Sequence, residues 1–274
     1  MTIIEQRFKP ISKIAEGGMA EIHQVYDKKR SEEVVLKKLL ERHVHNRKIR
    51  KMFYKEARLV KRLDHPNILK IYEMGREDRR PYVVMEYFKS RPLRDLIKKS
   101  NSLDWSPALE ILYQVGLALN YIHECGIIHL DLKPANILVE ENFGVKLTDF
   151  GLATTFFLGK LRFTRHVGGT PSYMSPEQIN GRQVDKRSDI YSFGVTAYET
   201  LTGRLPFAGD NLNELLSKHL SKLTPKPLSE FIKDIPASLD KIILKCLEKD
   251  RANRYQEMAP LLADLSRLRL GIAQ

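Results

Sequence analysis

Apolar positions along the chain change their period near residues 88–92. Before that point short β-rich runs dominate, among them Val34-Val35-Leu36 and Tyr82-Val83-Val84-Met85. They bracket one basic segment, about His45 to Leu63, in which Ile49, Met52, Phe53, Leu59, Val60 and Leu63 recur at helical spacing. After Phe88-Lys89-Ser90-Arg91-Pro92 the helical period takes over. Ser106 is a candidate N-cap with Pro107 at the first helical position, and Gly126 stands past the expected end. Further helices are expected over about Ser188 to Thr202, Leu212 to Leu220, Pro236 to Leu247 and Gln256 to Leu268. The pattern predicts an α+β chain, with a small β-rich part carrying one helix followed by a larger, mainly helical part.

One polar residue falls on the apolar stripe of the basic segment. Glu56 would face the core, and a carboxylate taken out of water unpaired costs several kcal/mol, on the order of 3–5. Lys37, at the end of the Val34-Val35-Leu36 run, is the candidate cation; the alternative is a Glu at the stripe's edge reaching water.

Composition narrows the classes. The 274 residues are 42% hydrophobic, enough for a sizeable core, and 46 Lys+Arg against 34 Asp+Glu give a net +12. A disordered tail and a small disulfide-stapled domain are excluded. No apolar run approaches the roughly 18 residues of a spanning helix, and the first residues meet charge before a signal-peptide core could form, so a soluble intracellular chain is expected. Two cysteines, Cys125 and Cys246, lack metal-ligand spacing and are expected to be inert packing residues.

Two segments carry chemistry. Ile14-Ala15-Glu16-Gly17-Gly18-Met19-Ala20-Glu21-Ile22 places a small-residue turn between two strand-like runs, where glycines admit backbone amides to phosphate oxygens; the same letters also suit an ordinary hairpin turn. Ile128-His129-Leu130-Asp131-Leu132-Lys133-Pro134-Ala135-Asn136-Ile137-Leu138 packs an acid, a base and an amide into one loop entered and left by apolar runs. Val145-Lys146-Leu147-Thr148 then delivers Asp149, followed by Phe150-Gly151. Asn136 and Asp149 are hard oxygen donors suited to Mg²⁺, Lys133 is a point charge for a transferring phosphate, and Asp131 an acceptor for a hydroxyl proton.

Together these motifs resemble the serine/threonine protein kinases of the eukaryotic type, with Gly-Gly-Met-Ala-Glu closest in style to the bacterial branch. The resemblance runs from about Phe8 to Leu268. It continues through Met85-Glu86-Tyr87, Gly169-Thr170-Pro171-Ser172-Tyr173-Met174-Ser175-Pro176-Glu177, Asp189-Ile190-Tyr191-Ser192-Phe193-Gly194 and Asp250-Arg251-Ala252-Asn253-Arg254. It implies a single two-lobed domain over residues 1–274, with an N-lobe of about 8–86, a hinge of about 86–91 and a C-lobe of about 92–270. The implied reaction is phosphoryl transfer from Mg-ATP to protein Ser/Thr hydroxyls in the cytoplasm, with Mn²⁺ able to replace Mg²⁺. Lys37 would hold the α- and β-phosphates and pair with Glu56; Asp131 would take the substrate's proton and Lys133 steady the γ-phosphate, with Thr170 bridging the two. Asn136 and Asp149 would hold the metal. ATP would be lined by Ile14, Ala15, Gly17 and Gly18, its adenine enclosed by Ile22, Val35 and Leu138, bonded to the backbone of Glu86 and Phe88, with Met85 as gatekeeper. Glu177 and Arg254 would form a buried ion pair, and Asp189 would anchor the loop around Asp131.

Three departures from the family pattern, at four positions, qualify the resemblance. Ala15 and Ala20 stand for its first and third glycines, which implies a stiffer loop and weaker nucleotide binding. Val35 replaces a usual alanine and narrows the adenine pocket. Leu130 replaces the arginine that binds a phosphate on the activation segment, so activity is expected not to depend on phosphorylating Thr164; alternatively Arg162, Arg165 or a basic residue of the 45–63 helix reads that phosphate. Lys37, Asp131, Asn136 and Asp149 are all present, which favours an active enzyme over a catalytically silent nucleotide-binding scaffold.

The net charge is concentrated. Between Lys37 and Arg62 eleven basic residues stand against two acidic ones. With only Tyr54 available as a free aromatic, nucleic acid is not expected. The choice is between a solvated face and an acidic regulatory partner docking on the 45–63 helix.

Overall fold

The computed structural model describes residues 6–150, 154–155 and 171–272. The chain divides into two compact units, residues 1–89 and 90–274.

The first unit is a five-stranded antiparallel sheet in the order β1-β2-β3-β5-β4. Its strands are β1 (Phe8–Glu16), β2 (Ala20–Asp27), β3 (Glu32–Leu39), β4 (Ile71–Glu77) and β5 (Arg80–Glu86). Alternation sorts the faces. Val25, Val34, Leu36 and Val84 form one core with Phe8, while Val35 and Lys37 point the other way. Pairing extends that second face, since Ile22 lies opposite Lys37, Met85 opposite Val35 and Ala15 opposite Ile22. Four residues predicted around a nucleotide thus share one sheet face with Lys37.

Helix α1 (Arg47–Val60) begins at Asn46, whose side chain accepts the N–H of Lys48 and Ile49 at 3.1 Å. Such a cap contributes about 1 kcal/mol. Phe53, Ala57 and Val60 are buried. Met52, expected in the apolar stripe, is instead 41% exposed, because its place on the helix circumference lies outside the arc those three residues bury.

In the second unit come β6 (Arg91–Pro92), α2 (Leu93–Ser100), α3 (Trp105–Glu124), β7 (Ile127–Ile128), β8 (Ile137–Val139), β9 (Val145–Leu147) and β10 (Thr154–Thr155). They are followed by α4 (Pro176–Ile179), α5 (Lys186–Thr202), α6 (Leu212–Leu220), α7 (Ala237–Cys246) and α8 (Met258–Ile272). Helix α2 was not expected from the sequence. Helix α3 starts at Trp105 after Asp104, which takes the cap position assigned to Ser106; Pro107 then falls at the third helical position, where the missing N–H is still one that helices leave unpaired. Gly126, at φ +71°, ends the helix as expected.

The core is α5, of whose 17 residues thirteen are buried. Gly194 lets α7 approach it, since a Cβ there would come within 2.7 Å of Cys246 Cβ. Cys246 is fully buried, as expected; Cys125, the C-cap of α3, is exposed. No helix among the described residues is long and apolar enough to cross a membrane.

Candidate active site

In the first unit, Lys37 Nζ donates to Glu56 Oε1 at 2.8 Å, and both side chains are largely buried. Strand β3 and helix α1 each present one charge toward the other. The pair answers the question raised by a carboxylate on an apolar stripe: Glu56 does not reach water at an edge but meets Lys37.

The glycine turn joins β1 to β2. Gly17 N–H donates to Ala20 C=O at 2.9 Å. A Cβ on Gly18 would meet nothing within 4 Å, and on Gly17 only the Ala20 carbonyl oxygen at 3.8 Å, so the turn's own packing does not demand glycine. Ala20 is buried at the base of the turn, which accounts for a side chain there. Sequence reasoning missed what holds the turn: His43 Nε2 donates to the Gly18 carbonyl at 2.9 Å, Arg42 donates to the same oxygen at 3.4 Å, and Leu40 N–H bonds Met19 C=O at 2.9 Å. Ile14 and Ala15 are exposed, Ile22, Met85, Glu86 and Phe88 half-buried, and Val35 buried.

In the second unit the loop after β7 gathers the other predicted residues. Lys133 Nζ donates to both carboxylate oxygens of Asp131, at 3.0 and 2.8 Å. Asn136 Nδ2 donates to the Asp131 carbonyl at 2.8 Å and to its Oδ2 at 3.2 Å. With the amide nitrogen committed inward, the Asn136 carbonyl oxygen is the donor left for a cation. The β8–β9 pair ties the strand before Asp149 to Asn136: Ile137 lies opposite Leu147, and Thr148 N–H donates to the Asn136 backbone carbonyl at 3.0 Å. Asp149 itself adopts φ +62°, a strained region for a residue with a Cβ that recurs at functional sites. Leu138 is half-buried on β8.

The loop is held from beneath. Asp189, wholly buried near the start of α5, accepts the N–H of His129 and of Leu130, each at 2.8 Å, and a bond from His123 Nε2 at 2.8 Å. Gln178 Nε2 donates to the Leu130 carbonyl at 3.1 Å, a tie that sequence reasoning also missed. The His129 ring lies 4.7 Å from that of Phe150. Leu130 is 3% exposed and packs with Ile128, Val184 and Met174. The position that lacks an arginine is therefore an apolar contact rather than an empty socket.

Glu177 receives Arg254 through two bonds of 2.8 and 2.9 Å, and Ser188 Oγ adds a third at 2.6 Å. Burial alone would raise the Glu177 carboxyl, but these donors outweigh it and hold it below its ordinary value. Thr170, Thr164, Arg162 and Arg165 lie outside the described residues.

The sequence model described as "Protein kinase domain" matches residues 8–263. A protein of Clostridium perfringens named a probable serine/threonine-protein kinase is 36% identical over 269 residues, covering 97% of this chain and 39% of that protein. Serine/threonine-protein kinase PrkC of Bacillus subtilis is 36% identical over 262 residues, 96% of this chain and 40% of its own. Serine/threonine-protein kinase PknB of Mycolicibacterium smegmatis is 38% identical over 263 residues, 94% and 42% respectively. The chain thus spans about two fifths of the length of these curated relatives. Motif, geometry and the match across nearly the whole chain agree, and the chain belongs to the protein kinase domain family.

Proposed function

We propose that this chain transfers the γ-phosphoryl group of ATP to Ser or Thr hydroxyls of protein substrates. The observation that carries the reading is the Asp131–Lys133–Asn136 cluster, in which one carboxylate is oriented by a lysine ammonium and a side-chain amide. In the proposed step the substrate hydroxyl oxygen bonds to the γ-phosphorus, the bond to the bridging oxygen of ADP breaks, and the hydroxyl proton passes to Asp131. Lys133 balances charge on the transferred group. Lys37, steadied by Glu56, holds the α- and β-phosphates, with the amides of Gly17 and Gly18 as further donors. The adenine is assigned to Ile22, Val35, Met85 and Leu138, with backbone bonds at Glu86 and Phe88, and Ile14 and Ala15 flank the phosphates. Thr170 is assigned the bridge between Asp131 and Lys133.

Asn136 and Asp149 supply two hard oxygen donors, which suit Mg²⁺ and admit Mn²⁺. Such an ion, when bound, neutralises phosphate charge. Protein substrates and a cytoplasmic location belong to the same reading; the names of the relatives support the kinase activity alone.

The test is incubation with labelled ATP and Mg²⁺ on a basic protein substrate, beside Asp149→Ala, with phosphosites read by mass spectrometry. Incorporation at Ser and Thr that the variant loses is expected. Equal incorporation by both would overturn the reading in favour of a nucleotide-binding scaffold.

A further inference from the structure

Helix α1 carries a stripe of charge that no carboxylate balances among the described residues. Arg47, Lys51, Lys55 and Arg58 recur at intervals of four, four and three. At 3.6 residues per turn they fall within an arc of about 80° and run for about 16 Å. Like charges at these spacings repel. Arg47 and Lys48 also occupy the first turn, which holds no acidic residue, so they face the positive end of the helix dipole. The one acid of the helix, Glu56, points to the opposite side and is consumed by Lys37.

Other helices of this protein pair some of their cations with carboxylates. Glu214 meets Lys218 at 2.7 Å on α6, while on α8 Asp264 meets Arg267 at 2.7 Å and Arg269 reaches Glu110 at 2.6 Å. Among the described residues no carboxylate pairs with a cation of the α1 stripe. A solvated basic face does not require this arrangement, and an anionic partner relieves it.

The geometry points to an Asp/Glu-rich protein segment lying along α1 as that partner. A stretch of about five extended residues spans about 16 Å at roughly 3.3 Å each. Exposed Met52, beside Lys48 and Lys55 on the helix surface, offers an apolar contact of the kind a protein side chain fills. Nucleic acid would want an aromatic platform, whereas Tyr54 is half-buried and edge-on to Phe53 at 6.2 Å. A lipid surface would want several apolar side chains to insert. Because Glu56 sits on the same helix, a partner that quiets the repulsion firms α1 and with it the Lys37–Glu56 pair; this regulatory consequence rests on the kinase reading above, while the docking surface does not.

The experiment uses the whole chain and a fluorescent 12-residue Asp/Glu peptide containing one Leu. Binding is read by anisotropy at low and moderate salt, and α1 by hydrogen exchange, both without ATP. Expected is salt-sensitive binding that weakens at least tenfold in Arg47→Glu/Lys51→Glu/Lys55→Glu and in the milder triple Gln variant. It should stay within twofold in the control Lys98→Glu/Lys99→Glu/Lys222→Glu, and peptide should slow exchange over residues 53–60 at least threefold. Circular dichroism of each variant separates loss of binding from loss of fold. Equal weakening in the control, unchanged exchange in α1, or tighter binding to a 20-base-pair DNA or to phosphatidylserine vesicles would overturn the proposal. Peptide binding by a chain that fails the labelled-ATP test would uphold the docking surface and remove the kinase reading.

Discussion

Asp189 holds Leu130 by its backbone, accepting its N–H at 2.8 Å while Leu130 adopts φ +65°. A left-handed leucine is costly, roughly 1–2 kcal/mol, and persists where the surroundings over-determine it. The same carboxylate takes the N–H of His129 and a bond from His123, so one buried charge sets the start of the loop that carries Asp131. Asp189→Asn replaces one acceptor oxygen with a donor facing an N–H. We expect a stability loss of about 1–3 kcal/mol and a turnover fall of at least tenfold, about 1.4 kcal/mol in barrier, measured by urea unfolding and by phosphate incorporation. An unchanged turnover would show that the loop is set from elsewhere.

The apolar seat of Leu130 bears on regulation. A guanidinium placed there would be buried among Ile128, Val184 and Met174, beside an Asp189 whose two carboxylate oxygens already take the His129, Leu130 and His123 donors. Leu130→Arg is expected to lower Tm by on the order of 5–10 °C. Thr164→Ala, by contrast, should keep turnover within tenfold of the parent. A larger loss would mean that Arg162, Arg165 or a cation of α1 reads a phosphate on that threonine.

Glu56 orients Lys37 through a charge-assisted bond worth about 1.5–3 kcal/mol. Glu56→Gln keeps the shape and removes the charge. Phosphoryl transfer should fall about tenfold to a hundredfold when assayed well below a Tm that drops by on the order of 3–10 °C. A variant that lost stability and activity in proportion would mark the pair as structural only.

His219 gives a pH prediction. It is fully buried, with Tyr191 Oη at 2.8 Å from its Nδ1. Burial, joined by the nearby Lys249 cation, pushes its pKa down to about 4 against the opposing pull of the Ser172 backbone. An unfolded chain protonates this ring near pH 6.5, so between pH 6.5 and about 4 the unfolded state binds more protons. The stabilisation is whole above pH 6.5 and is lost as the pH falls, by about 2 kcal/mol at pH 5. Urea midpoints at pH 7.5 and 5 should differ accordingly, and His219→Gln should flatten the difference. An equal slope in both proteins would assign the effect to carboxylates.

Much of the candidate site was legible because its residues break a local rule. Glu56 interrupts an apolar stripe, and Asp131, Lys133 and Asn136 crowd polar groups between apolar runs; both are costly without partners, and the structure supplies partners for both. The ties made by His43 to Gly18 and by Gln178 to Leu130 were not legible, since they join positions 25 and 48 residues apart through backbone carbonyls that accept any donor. Helix α2 has eight residues, too few for its period to stand out. Asp104 and Ser106 are both good cap types two residues apart, and the helix starts after Asp104 although its side chain makes no cap bond. The exposure of Met52 follows from which arc of α1 the sheet covers, a tertiary fact.

The contrast between the two cysteines gives the protein a built-in gauge of unfolding. Cys246 is wedged against Gly194, and burial pushes its thiol pKa up, whereas Cys125 lies in the open. A thiol reagent should therefore modify one site in the folded chain and two once α5 and α7 separate. The rate at which the second label appears would report the opening of the helix from which the Asp131 loop hangs.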